Sequence, residues 1–475
     1  MSFYSFIFIF FLFTAVVIYF ASPAKYRKYL LIFYNYLFYS YFDYRLTILL
    51  FATTTVNYIA GNSILSSKTE RNKKRIILLA LVFNITVLGF FKYFNFFIDS
   101  VNSFVLLLGF QLNLTTLNIL LPLGISYYIF QTLTYVFDIR YGSITEKTAF
   151  IDYAVFASFF ALIISGPIER ASTLIPQIKK APNFDVSYLR KGFALISIGM
   201  FRKLLIADAA GHIVNQIFAE PQYYRSSEIL IGIILYSFQL YNDFAGYSSI
   251  ARGVAKLFGF DVISNFTQPF FSTSIVDFWR RWHRSFAFWL RDYLFFPMQV
   301  KFRSLKMIGN LLAVMITFII CGLWHGASWG NVFWGFIQGV YISFSLLTLK
   351  YREYFLEKLN PNKLVLQTFR IAFTFSLTVF GFFIARVENL TMAKNMINMI
   401  INWSQSEFTF KFLTILFSVA ILTTIIDLSE IKYKSQAFLQ RLNPPIKYAV
   451  YSIIWLLIIL SIITLKKLPF IYQRF

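Results

Sequence analysis

The histidines are the residues of this chain best suited to catalysis in apolar surroundings. The chain has three of them, His212, His283 and His325. His325 follows an apolar run that ends at Leu323 and precedes another that begins at Val332. Burial disfavours a charged imidazolium and leaves a neutral nitrogen that can accept a proton from a hydroxyl. The pattern predicts a general base at His325, and a histidine hydrogen-bonded across a helix interface is the alternative.

Glycines surround this histidine at four-residue spacing, at positions 322, 326 and 330. Such spacing allows the backbones of two membrane helices to approach closely, which is a sufficient structural explanation. It would also give a substrate access to the imidazole ring. The spacing does not separate these two interpretations.

A second candidate constellation lies between Asp277 and Tyr293. At helical period its aromatic and basic residues fall on two different stripes, which is typical of a helix lying at a membrane interface. The aromatic stripe holds Phe278, Trp282, Phe286 and Trp289, and the basic stripe holds Arg280, Arg284 and Arg291. These arginines and Arg281 could bind an anionic group such as nucleotide phosphates or lipid head groups. A simple amphipathic surface helix is the alternative.

The elements that position these residues are predicted to be membrane helices. Hydrophobic residues make up 58% of the 475 residues and charged residues 14%, which leaves too little polar surface for a soluble particle. Apolar stretches recur along the whole chain, each near the roughly 20 residues that a spanning helix needs. We expect an all-α polytopic fold of about 11–13 membrane helices, including re-entrant or interfacial ones. Residues 1–475 are expected to form a single membrane domain.

The positive charge of the chain is interpreted through membrane topology. The formal net charge is +23, but the cations are scattered between apolar spans and form no single basic face. Membrane lipids and the positive-inside rule account for them, and no nucleic acid partner is expected. The first apolar segment precedes the cluster Lys25, Arg27 and Lys28, so we expect a retained helix with its N-terminus outside.

Several other kinds of site are excluded or disfavoured by the sequence. Cys321 is the only cysteine, so neither an intrachain disulfide nor a cysteine-rich metal site can form. The three histidines are widely separated, so no metal ligand set is expected. The sequence contains no Gly-x-Ser-x-Gly nucleophile elbow and no phosphate-binding Gly-x-x-x-x-Gly-Lys loop.

Five ordered blocks of the sequence resemble the membrane-bound O-acyltransferase superfamily, and in particular its bacterial branch typified by the alginate O-acetyltransferase membrane subunit. The blocks are Pro122 to Tyr135, Ser165 to Arg170, Tyr241 to Ser248, Asp277 to Tyr293 and Cys321 to Ala327. They lie within residues 120–340, which we interpret as the motif-bearing catalytic core. The order of the blocks is specific, whereas any single block would be a weak signal.

The resemblance implies roles for particular residues. It makes His325, in the Trp-His-Gly block, the essential histidine and His283 the second important one. Asp243 is implied to shape the same polar path, with Arg280, Arg281 and Trp324 as further candidates for substrate contact. His212 matches no block, and we interpret it as a structural or loop histidine.

The resemblance also implies a reaction. We expect transfer of an acetyl group from a thioester donor, either acetyl-CoA or an acyl carrier, with no bound cofactor. The acceptor is expected to be an exported or cell-envelope polysaccharide, reached directly or through a partner extracytoplasmic acetyltransferase, at the bacterial inner membrane. Two departures from relatives, at residues 298–303 and at Ser249, weaken the transfer of donor and acceptor identity. D-alanyl transfer to teichoic acid, a transporter for polysaccharide or lipid-linked sugar, and a noncatalytic assembly subunit are the alternatives.

Overall fold

The fold is helical throughout the residues that the structure describes. This computed structural model describes residues 1, 3–112, 114–403, 410–464 and 467–471, and within them it contains α-, 3₁₀- and π-helices but no strand. The predicted all-α class is therefore confirmed. The chain divides into two compact units, one formed by Met1–Phe193 with Ala251–Ile263 and the other by Ala194–Ile250 with Ser264–Phe475.

The first unit begins with eight α-helices. They are α1 (Phe6–Ala21), α2 (Ala24–Ser40), α3 (Tyr44–Ser66), α4 (Glu70–Leu88), α5 (Phe94–Leu107), α6 (Ile125–Arg140), α7 (Phe150–Ser158) and α8 (Ala171–Lys180). Buried amides and hydroxyls join three of these helices. The Asn57 amide donates to Asn84 at 3.1 Å and to the Thr132 hydroxyl at 3.2 Å. Because buried polar groups need partners, this network fixes how α3, α4 and α6 pack.

Two further helices, α9 (Val186–Met200) and α11 (Ser226–Leu257), contribute residues to both units. The remaining helices belong to the second unit. They are α10 (Asp208–Ala219), α12 (Ile275–Arg281), α13 (Arg284–Leu290), α14 (Phe296–Lys301), α15 (Lys306–His325), α16 (Trp329–Leu347), α17 (Leu349–Leu359), α18 (Lys363–Arg386), α19 (Leu390–Ile401), α20 (Phe410–Tyr433) and α21 (Pro444–Thr464). All the candidate site residues predicted from the sequence lie in this second unit.

Seven helices of the described chain are long and apolar enough to cross a membrane. They are Tyr44–Ser66, Glu70–Leu107, Ser226–Leu257, Arg303–His325, Lys363–Arg386, Phe410–Tyr433 and Pro444–Thr464. The pair α16 and α17, bent by 54°, would make an eighth span. The protein is thus a multi-pass membrane protein. The α11 span differs from the others because 83% of its most apolar window is buried within the protein.

The number of long apolar helices is smaller than the about 11–13 expected from apolar stretches alone. The stretch from Ile151 to Ser165 contains only the nine-residue helix α7. The stretch from Gly192 to Ile217 is divided by the π-helix Phe201–Ala207. The stretch from 101 to 137 is interrupted between α5 and α6. The expected number also included re-entrant and interfacial helices, and short helices buried inside the protein are as apolar as helices exposed to lipid.

Candidate active site

His325 is the last residue of α15 and lies at a sharp reversal of the chain. Gly326 follows it in an extended conformation, and Ser328 then caps α16 by accepting a hydrogen bond from the Asn331 amide at 3.2 Å. The cap fixes the start of α16 because it satisfies one of the free N–H groups of the first turn. The helix end therefore places the His325 ring inside the protein, where it is 8% exposed.

Close approach of α15 and α16 holds this reversal together. A Cβ atom on Gly322 would lie 2.2 Å from the Asn331 carbonyl oxygen, and one on Gly335 would lie 2.2 Å from the Phe318 carbonyl oxygen. A side chain at either position cannot fit without separating the helices. The structural explanation of the glycine spacing therefore holds for Gly322. It does not hold for Gly330, whose added Cβ would meet its nearest neighbour at 3.8 Å.

We predict that Gly322→Ala destabilises the protein by about 1–3 kcal/mol or more, because the added methyl group overpacks the contact between α15 and α16. Thermal unfolding of the purified protein in detergent measures the change. Gly330→Ala is the matched control, since it adds the same methyl group at an ordinary van der Waals distance from its nearest neighbour and should leave stability unchanged or slightly raised. Equal stability of the two variants would contradict the packing role of Gly322.

Aromatic rings bring His325 and His283 into one cluster. The His325 ring lies 4.9 Å from Trp324, 5.6 Å from Phe286 and 5.1 Å from Trp334, centroid to centroid, and meets each of them edge on. The His283 ring lies 5.0 Å from Phe286 and 5.8 Å from Trp324. Phe286 and Trp324 stack on each other at 4.0 Å. The two histidines therefore share an aromatic pair that packs against both rings.

His283 sits in the break between α12 and α13 and is completely buried. Burial lowers its pKa well below the usual value of 6.5, and the proximity of His325 lowers it further. The ring is therefore neutral at pH 7. Its backbone is left-handed, with φ of 43°. A non-glycine residue held in that region costs on the order of 1–3 kcal/mol, so the surrounding structure must enforce it.

A small cavity of about 30 Å³ opens beside His325. This is room for one or two water molecules. Its lining consists of Tyr236, Leu240, Trp282, His325, Asn331, Trp334, Phe382 and Ala385. The Trp334 indole N–H makes no hydrogen bond to any residue that the structure describes. The cavity therefore combines an imidazole with a hydrogen-bond donor in apolar walls.

Asp243 lies on α11 and precedes Phe244, which contacts the aromatic cluster around the two histidines. Its carboxylate pairs with the Lys203 ammonium at 2.7 Å and accepts a hydrogen bond from the Ile471 amide at 2.8 Å. Lys203 also pairs with Asp208 at 2.7 Å. Phe244, the next residue on α11, lies 4.7 Å from the His283 ring. Asp243 thus belongs to an ion cluster next to the aromatic residues that surround His283.

The predicted arginine candidates lie outside the aromatic cluster. Arg280 is exposed at the end of α12, and Arg281 pairs with Asp277 at 2.9 Å. The predicted aromatic stripe is buried, as its period indicated. The prediction that Asp277 to Tyr293 form a single helix was wrong, however. The helix is interrupted at Trp282 and His283, because backbone hydrogen bonds to a neighbouring loop replace helical hydrogen bonds there.

Two features of this unit were missed by reasoning from the sequence. One is Trp334, whose apolar context gave no sign of its position beside His325. The other is a buried ion cluster in which Arg202 binds Asp427 at 2.6 Å and Glu430 at 3.1 Å. The signal for the cluster was present, since these charges interrupt or directly follow apolar stretches. His212 is half-buried on α10.

The comparisons with known proteins agree on one family. The family model described as MBOAT, membrane-bound O-acyltransferase family, matches residues 33–384. The probable alginate O-acetylase AlgI of Azotobacter vinelandii is 33% identical over 383 residues, which are 80% of this chain and 73% of the relative. The peptidoglycan O-acetyltransferase of Helicobacter pylori is 31% identical over 351 residues, 68% of this chain and 65% of the relative. The teichoic acid D-alanyltransferase of Bacillus subtilis is 31% identical over 278 residues, 56% of this chain and 69% of the relative.

Proposed function

The chain belongs to the membrane-bound O-acyltransferase family, and we propose that it transfers an acetyl group from a thioester donor to hydroxyl groups of an exported or cell-envelope polysaccharide. The observation that carries this proposal is the buried His325 beside a small cavity, in a chain whose relatives include an alginate O-acetylase and a peptidoglycan O-acetyltransferase. For an acceptor of this class, we propose the bacterial cytoplasmic membrane as the location of the protein. We propose that residues 1–475 act as one membrane domain, in which residues 120–340 supply both His325 and His283.

The chemistry assigns His325 the role of general base. Its neutral nitrogen accepts the proton of the acceptor hydroxyl as that oxygen attacks the thioester carbonyl carbon. The C–O bond forms, a tetrahedral oxyanion develops, and the C–S bond then breaks to release a thiolate, which takes up the proton held by His325 and leaves as the thiol. The Trp334 N–H is a candidate donor to that oxyanion, because a preorganised donor in a dry site stabilises developing charge strongly. No covalent enzyme intermediate is required.

The size of the cavity sets a condition on substrate entry. About 30 Å³ accommodates one or two waters but not an acyl group together with a sugar hydroxyl. Donor and acceptor must therefore displace lining side chains such as Trp282, Asn331 or Phe382 when they bind. Trp324, stacked on Phe286, packs against the His325 ring but is not part of the cavity lining, so in this proposal it contacts substrate only after the lining side chains move.

We predict that Arg280→Gln raises the KM for an acetyl-CoA donor by about 3- to 10-fold, with kcat unchanged, because Arg280 offers an exposed cation to the phosphates at a rim outside the reacting centre. Initial rates at varied donor concentration measure the change. Arg370→Gln, which removes an exposed arginine of α18, is the control and should leave KM unchanged. An unchanged KM in Arg280→Gln would contradict the donor role.

The experiment that tests the function supplies the protein in vesicles with labelled acetyl thioester and follows the label into extracted envelope glycans. Label in a glycan ester that depends on the protein supports the proposal. The D-alanyltransferase relative favours a second candidate, D-alanyl transfer from a carrier protein to teichoic acid. A parallel reaction with D-alanyl carrier distinguishes the two. Family membership favours acyl transfer over a transporter without acyltransferase activity.

A further inference from the structure

The left-handed backbone of His283 raises the question of what holds it. Residues other than glycine are uncommon in the left-handed region, and although histidine is among the less rare ones, its conformation there still costs free energy that neighbouring contacts must offset. It separates α12 from α13, and its ring packs on Phe286 and Trp324. Those two rings also contact His325. A change in the His283 backbone would therefore move the wall of the candidate active site.

The loop of residues 264–268 binds the chain on both sides of His283. The Thr267 amide donates to the Arg281 carbonyl at 3.1 Å, and the Arg284 amide donates to the Asn265 carbonyl at 2.9 Å. The Asn265 side-chain oxygen accepts from the Ser285 hydroxyl at 2.6 Å and from the Ser285 amide at 3.3 Å. These bonds bracket His283 within two residues on each side and replace the helical bonds that the break removes.

Asn265 is the centre of this arrangement. It is completely buried, and its side-chain oxygen does the binding, since its amide nitrogen makes no hydrogen bond to any residue that the structure describes. Its acceptor oxygen meets the first turn of α13, where free N–H groups need a partner. The oxygen of a protonated, neutral carboxyl group could accept the same two bonds at this buried position, whereas a methyl group could not.

The loop is itself anchored to α20 and the residues after it. Gln268 donates to the Glu430 carboxylate at 2.7 Å, and Gln436 donates to the Phe266 carbonyl at 2.9 Å. The Ser264 hydroxyl donates to the Gln436 side-chain oxygen at 2.9 Å. Glu430 in turn pairs with Arg202. A continuous set of hydrogen bonds and ion pairs thus runs from the ion cluster through the loop to the His283 turn.

We propose that Asn265 is a positioning residue for acyl transfer, which holds His283 in its left-handed conformation and through it the Phe286 and Trp324 wall beside His325. This inference rests on the proposed function for its effect on the reaction. Asn265 touches no reacting atom. It acts by keeping the Phe286 and Trp324 rings in position beside the His325 imidazole, which takes the proton. Small displacements of these rings reduce the rate of transfer more than the affinity for substrate.

The first test is a double-mutant cycle. Asn265→Ala is expected to lower kcat on the order of 10- to 100-fold with KM little changed. Asn265→Asp keeps the accepting oxygen and is expected to restore most of the rate. Because Asn265 acts through His283, combining Asn265→Ala with His283→Ala should be no slower than His283→Ala alone. Multiplied losses in the double variant, or an Asn265→Ala rate equal to wild type, would overturn the proposal.

The second test does not depend on activity. The chain has only three histidines, so NMR of protein carrying ¹⁵N-labelled histidine gives few imidazole signals, and a His283→Ala sample identifies that of His283. Asn265→Ala is expected to shift the His283 signal and Asn265→Asp to leave it near its wild-type position. Asn389→Ala is the matched control, because it removes the asparagine cap of α19.

The two tests separate this proposal from the proposed function. An unmoved His283 signal in Asn265→Ala overturns the positioning role whatever the transfer rates. Wild-type protein that transfers neither acetyl nor D-alanyl groups contradicts the proposed function, and it removes the catalytic half of this inference with it. A shifted signal together with a non-additive loss of kcat supports the positioning role in full.

Discussion

Replacing His325 with alanine is expected to lower the rate of acyl transfer by about 10²- to 10⁴-fold while the protein remains folded in the membrane. The imidazole is the only described histidine ring that lines the cavity, and the reaction needs a base at that place. The substitution truncates a side chain at the last residue of α15, so the helix and its close contact with α16 remain. Transfer of labelled acetyl to acceptor under single-turnover conditions measures the loss.

The control for this prediction is His212→Ala, which removes a half-buried imidazole from α10 and should leave the rate within about twofold of wild type. Both variants should elute as folded protein and unfold near the wild-type temperature. A His325→Ala protein that is folded and transfers acetyl as fast as the His212→Ala protein would rule out a base at His325.

The second large effect is expected on stability. Arg202→Met should lower the free energy of unfolding by about 3–5 kcal/mol, because it leaves the buried Asp427 and Glu430 carboxylates without their cation. Arg202 also donates to Asn242 at 3.1 Å, and the Tyr241 hydroxyl donates to Asp427 at 3.0 Å, so the cluster joins three segments. Denaturant unfolding in detergent gives the size of the loss.

A matched variant distinguishes buried charge from general damage. Arg291→Met breaks the half-exposed pair with Asp292 and should cost no more than about 1 kcal/mol. Neutralising the whole cluster, with Asp427→Asn and Glu430→Gln added to Arg202→Met, should recover much of the stability lost, since no uncompensated charge remains. Similar losses from Arg202→Met and Arg291→Met would show that the buried cluster carries no special weight.

Much of the fold could be predicted because it depends on local composition. Apolar runs near 20 residues long indicated membrane helices, and these were confirmed. The same reasoning placed His325 at the end of an apolar helix, which is where it lies. The resemblance of ordered blocks identified the family, since a series of motifs is more specific than any single one.

What could not be predicted depends on contacts between distant parts of the chain. The Arg202 and Asp427 pairing joins residues 225 positions apart, and no local period encodes such a pair. The break at His283 was missed because its aromatic stripe is consistent with one continuous helix, while the bonds that enforce the break come from the loop around Asn265. Composition could not separate long spanning helices from short ones, because the short buried helix α7 is as apolar as a helix in lipid.

Chemical rescue with imidazole tests directly whether His325 is the general base. In a His325→Gly protein the missing ring leaves space beside the cavity, so added imidazole can enter and accept the proton of the acceptor hydroxyl. We predict that His325→Gly transfers acetyl at a very low rate without imidazole and at a rate that rises with imidazole concentration. His212→Gly should show neither the loss of rate nor the dependence on imidazole. Transfer at the wild-type rate by His325→Gly in the absence of imidazole would contradict this role of His325.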